Sequence, residues 1–348
     1  MSPGDKAALR LAIGLGLAAL VAYGLALAEP FVVCVMSVLV LSKPGPPLPL
    51  LKGLIVALLF AGLVAAGIVM VPLLEHYAFA AVLLTAGVLY GTFYSGLVGG
   101  NPLTTVLVLS FTLIPVAGVA EQALVGVLSV TLAAGVIVGV LMSAVSHALF
   151  PDPPALAAES AATIRPAPSE AAWIALRATL IVMPVFVLAL SNPSFYMAAV
   201  MKTVALAQQA GETDTRSAGR ELVGSTLAGA VLGAAVWYGL SMWASLWMLT
   251  LWLTAAGLYA GSAMFGSRST TMRPSFWANA LVTALLLLGP AIEDSASGKG
   301  FLEGSIMRTS LFVGVALYAW ATIRLFELRR FERPGGVHAL HPHPEESK

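Results

Sequence analysis

The sequence predicts an all-α polytopic membrane protein of about twelve transmembrane helices, arranged as two parallel six-helix repeats. Three observations carry that prediction. The first is composition. Of 348 residues, 59% are hydrophobic and 10% are charged, and the mean hydropathy is +0.91; soluble domains average about 45–50% apolar and about 25% charged residues. The second is segmentation. Apolar runs fall at about 9–28, 30–42, 50–72, 77–94, 103–119, 122–149, 172–190, 194–209, 220–241, 243–262, 275–290 and 303–325, and a spanning helix uses roughly 20 apolar residues. The third is charge. With the N-terminus in the cytoplasm, fifteen of the eighteen Lys and Arg residues fall in inner segments, and Lys299 falls outside. Glu29, Glu75, Glu121, Glu293, Asp294 and Glu303 mark the outer ends. This is the positive-inside pattern, and it places both termini in the cytoplasm. A miscounted span would scramble it.

Several classes drop out at once. The runs are apolar throughout rather than alternating, which argues against a β-barrel. A net charge of +1 offers no basic patch for nucleic acid. The one cysteine, Cys34, allows no intrachain disulfide and none of the usual Cys-based metal sites. The first run, Leu9 to Ala28, is too long for a signal-peptide core and leads straight into the second, so it is expected as an uncleaved span. The second run is short, and is expected to be tilted or only partly inserted.

The halves resemble each other. Ala8-Leu9-Arg10 opens the first block and Ala175-Leu176-Arg177 the seventh. Leu89-Tyr90 recurs as Leu258-Tyr259, and Leu113-Ile114-Pro115 as Leu288-Gly289-Pro290. Six spans per half make both repeats enter the membrane in the same direction. The organisation expected is a first membrane repeat over 1–150, a cytoplasmic linker over 151–171, a second membrane repeat over 172–326 and a disordered cytoplasmic tail over 327–348. The linker is rich in Pro, Ala and Ser, and reads as flexible. The tail histidines His338, His341 and His343 read as solvated rather than as a metal site, since no geometry fixes them.

Charge inside the bilayer costs roughly 2.5–3.5 kcal/mol at a helix centre, and intramembrane ionisable residues mark function by default. Lys202 lies in the middle of the eighth run. Two readings stand side by side: a stem that snorkels to the interface, and a contact for an anionic ligand. Arg308 lies about two turns into the last run, five residues after Glu303. It reads equally as an ion-pair member and as an anion contact. Two cations with no mid-span carboxylate favour an anion, which arginine grips with a two-pronged hydrogen bond. Thr226 joins Lys202 and Arg308 as a candidate substrate contact. Glu75, His76 and His147 join Lys202 as candidates for coupling to protons, because histidine titrates near neutrality; as helix-end residues they also read as interfacial anchors. Gly224, Gly229 and Gly233 give the ninth run a small face for close helix packing. There is no Walker A sequence, HExxH or Ser/His/Asp arrangement, so neither nucleotide hydrolysis nor enzymatic chemistry is expected, and no cofactor is implied.

Two six-span repeats each opened by an arginine-led helix, a short second span ending in a polar turn, and the stretch Arg220-Glu-Leu-Val-Gly224-Ser-Thr226-Leu-Ala-Gly229-Ala-Val-Leu-Gly233 together resemble the fusaric acid resistance (FUSC) superfamily. That superfamily includes the aromatic acid exporters; the likeness is to its short uncharacterised bacterial branch and covers about residues 7–326. The first repeat departs from the second, with Lys52 and Val56 where the second has Arg220 and Gly224, and with nothing equivalent to Arg308. The resemblance implies a proton-coupled exporter of aromatic or other hydrophobic organic acids in a bacterial inner membrane. It also implies a periplasmic membrane-fusion adaptor of the HlyD type as partner. A homo-oligomer is a further candidate assembly, independent of the resemblance. A passive channel or membrane scaffold subunit is the alternative.

Overall fold

The computed structural model describes residues 1–42, 70–100, 104–151, 166–212, 217–296 and 301–331. These residues form helices and no strand. In chain order they are α1 (Pro3–Gly24), α2 (Pro30–Leu41), α3 (Ala78–Gly99), α4 (Thr104–Ala120), α5 (Gln122–Leu149), α6 (Pro168–Ser191), α7 (Pro193–Glu212), α8 (Ala218–Met242), α9 (Leu246–Met264), α10 (Pro274–Ala296) and α11 (Phe301–Phe331). The third run up to residue 69, the linker over 152–165 and the tail from 332 lie outside the described residues. Helix α6 begins within the stretch assigned to the linker, and α11 continues past the boundary placed at 326.

Local chemistry sets the helix starts. Ser2 caps α1: its Oγ accepts from Asp5 N at 3.1 Å, and Asp5 Oδ2 accepts from Ser2 N at 2.9 Å. This reciprocal box satisfies donors that a helix start otherwise leaves orphaned. Proline stands in the first turn of α1, α2 and α6, where its missing N–H costs nothing. Ser245 Oγ accepts from Met248 N at 3.2 Å at the start of α9. Gly100 ends α3 in the left-handed region, at φ 64°, which suits a residue without a Cβ.

Among the described residues, eight helices are long and apolar enough to cross a membrane: α1, α3, α5, α6, α8, α9, α10 and α11. The chain is thus an all-helical, membrane-embedded protein. Large apolar side chains cover its outer surface, among them Phe79, Val231, Tyr238, Trp243 and Trp247, each at least 69% exposed. In water this would be costly; in lipid it is the expected coat.

Helix α2 has 12 residues, about 18 Å at 1.5 Å per residue, against a hydrocarbon core of about 30 Å. It is an interior helix: nine of its residues are buried, between α1, α5 and α10. Helix α7 is interior too. It packs against α4, α6, α8, α10 and α11, and its residues 199–204 are all buried. The segment before the linker (α1–α5) meets the segment after it (α6–α11) along four main lines: α1 on α9, α3 on α6, α2 on α10 and α4 on α7.

The start of α1 defines one end of the bundle, called here the near end. Lys6 Nζ donates to Pro151 O at 3.0 Å, Arg10 Nη1 donates to Phe150 O at 3.4 Å, and Gly4 lies against Phe265. The ends of α5 and α9 therefore sit beside the start of α1. The turn from α1 to α2 belongs to the opposite, far end.

Candidate functional site

Lys202 on α7 is completely buried. Its Nζ donates to Asn279 Oδ1 at 2.9 Å and to Thr283 Oγ1 at 2.6 Å. Those two residues stand four apart on α10, hence on one face. Asn279 Nδ2 donates in turn to Ser225 Oγ on α8 at 2.6 Å, and Ser225 Oγ donates to Leu222 O at 3.1 Å. Thr283 Oγ1 donates to Asn279 O at 2.6 Å. A protonated amine can only donate, so with Lys202 charged the Asn279 amide must turn its oxygen toward it. Every hydrogen bond described for Nζ ends on a neutral oxygen, and of its three donors two are used. A buried charge normally has a paired counter-charge. The ion pairs described in this protein lie elsewhere, at Arg273–Glu221 (3.6 Å) and Arg308–Asp294 (2.7 Å).

The small face of α8 makes this geometry reachable. A Cβ on Gly229 would run into the carbonyl of Ala280 and the side chain of Thr283; one on Gly233 would come within 3.2 Å of Ala284 O, and one on Gly224 within 3.2 Å of the Phe276 ring. All three contacts are with α10, so these glycines let α8 and α10 approach until Ser225 reaches Asn279. Thr226 is buried, but its Oγ1 donates to Leu222 O of its own helix at 2.8 Å. It makes no described bond to the Lys202 network.

A cavity of about 260 Å³ adjoins this network. Leu39, Ser42, Gln208, Met264 and Ser275 place it between the ends of α2, α7 and α9 and the starts of α4 and α10, hence toward the near end. Asn279 forms part of its wall; Lys202 does not. Thr105 Oγ1 donates to Gln208 Oε1 at 3.0 Å, tying α4 to α7 at the rim. The rest of the wall is mainly apolar, with Leu39, Ala205, Ala278 and Val282. Amide groups, a cation one bond behind them and an apolar remainder suit a small molecule with one anionic end and a hydrophobic body. The volume falls just below the roughly 300–1,000 Å³ of typical ligand pockets.

The other predicted residues are dispersed. Arg308 pairs with Asp294 at 2.7 Å; the side chain of Glu303, its expected partner, lies outside the described residues. Beside Arg308 at the far end is a second cavity of about 440 Å³, lined by Gly233, Leu287, Leu288, Ser305, Ile306 and Thr309 among others. No described bond or cavity joins Arg308 to Lys202. Glu75 and His76 are exposed, and His76 Nδ1 lies 3.0 Å from Pro72 O. His147 is half-buried near the end of α5, with Nδ1 2.8 Å from Ser143 O. Among the described residues no three His, Cys, Asp or Glu side chains gather to hold a metal ion.

Sequence reasoning passes over Asn279, Thr283 and Ser225. The available signal was an amide and a hydroxyl four residues apart inside an otherwise apolar run. It also passes over Glu29, which stands half-buried just before α2. Burial, and then the neighbouring charge of Glu293, push its carboxyl up to about 7.

Comparison with known proteins places only the first part of the chain. A family model described as a protein of unknown function (DUF2955) matches residues 7–146, from α1 almost to the end of α5. No curated protein and no solved structure matches. The matched segment ends before Lys202, so the geometry of α7, α8 and α10 carries the functional reading.

Proposed function

We propose that this chain is a secondary transporter that exports aromatic or other hydrophobic organic acids across a bacterial inner membrane. The observation that carries the reading is Lys202: a completely buried basic side chain whose described partners are neutral, behind a small cavity between the two segments of the chain. A desolvated ammonium attracts a carboxylate strongly because the low dielectric weakens screening. The apolar wall suits the hydrophobic body of such an acid.

The packing supports the arrangement as two six-span repeats. The contact of α1 with α9 is matched by that of α6 with α3, and the contact of α2 with α10 by that of α7 with α4. Those are the pairs that exchange when the first six runs are laid on the second six. Reciprocal contacts of this kind fit repeats related by an axis along the membrane normal. With the positive-inside charge pattern, the near end is cytoplasmic, and the cavity faces the side from which an exporter loads. The resemblance to the fusaric acid resistance superfamily adds proton coupling and a HlyD-type adaptor on the periplasmic side to the proposal.

Counterflow tests it. Proteoliposomes loaded with unlabelled benzoate should accumulate labelled benzoate by exchange, and Lys202→Met should not. Uptake without trans-stimulation would mean a passive channel instead. Cysteines placed at the exposed positions Glu75 and Glu121 should label from the periplasm, and those at Ser169 and Ser269 should not; the reverse pattern would invert the topology.

A further inference from the structure

A ligand entering the near-end cavity meets Asn279, because that residue forms part of the wall and its side chain bonds Lys202, which does not line the cavity. Asn279 Oδ1 stands 2.9 Å from Nζ, an ordinary hydrogen-bond distance. We infer that Asn279 is a built-in stand-in for the substrate carboxylate: its amide oxygen occupies the place at Lys202 that an acid takes, and the acid binds by displacing it. This rests on the reading of the cavity as an acid site and assigns Asn279 as its specificity-determining residue.

The network is arranged for such an exchange. Thr283 holds a second Nζ donor from the next turn of the same helix face, and its own proton goes to Asn279 O. The lysine therefore stays placed when the amide leaves. Ser225, which accepts from Asn279 Nδ2, gives the amide a pivot. An amide oxygen carries only a partial negative charge, so a full carboxylate outcompetes it at an ammonium. A neutral ligand cannot, because it would offer no more than the amide already supplies. The device explains selection for acids over their amides, and it keeps the ammonium hydrogen-bonded while the site is empty.

The test uses benzoate, with benzamide as the neutral control, on the full-length protein in nanodiscs, read by calorimetry. Asn279→Asp puts a permanent carboxylate where the amide stood; benzoate affinity should fall roughly 100-fold, the scale seen when a buried charge loses its partner. Asn279→Ala removes the competitor, so benzoate should bind at least as tightly as to the wild type. Benzamide should bind none of the three. Size-exclusion elution and melting temperature show that each variant is folded, and the alanine variant tests the idea should the aspartate variant fail to fold. Wild-type benzoate binding that Asn279→Asp leaves unchanged, or that Asn279→Ala abolishes in a folded protein, would overturn this inference alone. Absence of benzoate binding by the wild type would overturn it together with the acid-transport reading.

Discussion

The second helices of the two segments, α2 with 12 residues and α7 with 20, differ in length and in what they present to α10. Both α2 and α7 start at a proline, both are interior, and both pack against α10. Helix α2 is apolar apart from Ser37, whose Oγ donates to Val33 O of its own helix at 2.9 Å. It meets α10 through Phe31, which packs on Gly289 so tightly that a Cβ there would collide with the ring. Helix α7 meets α10 through Lys202, Asn279 and Thr283. Helix α2 shows that the second helix of a segment can be apolar and still pack on α10; under the proposed function, Lys202 is there to bind an anion.

That comparison can be broken most severely by transplanting the cation. Ser37→Lys would bury an ammonium on α2, where Ser37 bonds only its own helix backbone. An unpaired buried ion costs several kcal/mol. The variant should yield little monodisperse protein on size exclusion. A well-folded Ser37→Lys protein would show that α2 tolerates a cation as α7 does.

A smaller effect of opposite sign is expected on α7. Lys202→Met combined with Asn279→Leu replaces the polar pair with apolar side chains of similar size. Such replacements are often neutral or stabilising, by about 1–4 kcal/mol. The melting temperature should stay level or rise while benzoate counterflow disappears. A marked loss of stability would make Lys202 a structural residue and remove the contrast with α2.

The smallest effect concerns pH at the start of α2. The Glu29 carboxyl is raised from 4.5 to about 7 by burial and by Glu293, so the folded state holds that proton more tightly than the unfolded chain does. Its contribution to stability is therefore complete below about 4.5 and is lost as pH rises toward 7. Glu29→Gln should flatten the fall of melting temperature across that window. An unchanged slope would place the titration elsewhere.

Much of this was legible in the sequence, for physical reasons. Long apolar runs can only be satisfied as helices in lipid, so α1, α5 and α6 were readable directly. The short run at 30–42 was recognised as unusual, but its burial on all sides depends on neighbours that no local pattern reveals. Lys202 stood out because charge is rare in such runs. Its partners did not. Asn279 and Thr283 lie 77 and 81 residues away, and a lone amide in an apolar helix carries no signal of what it faces. For Arg308 the sequence offers Glu303 only as a loose partner, and that side chain lies outside the described residues; the structure pairs Arg308 with Asp294 on the preceding helix.

The most direct test of the account is a structure of the full-length protein with 4-bromobenzoate, in which the bromine marks the ligand unambiguously. The account predicts density in the near-end cavity between Gln208, Asn279 and Val282. The carboxylate should lie within hydrogen-bonding distance of Lys202 Nζ, with the Asn279 amide turned away. Density in the far-end cavity against Ser305 and Thr309, with Asn279 still bonded to Lys202, would contradict it.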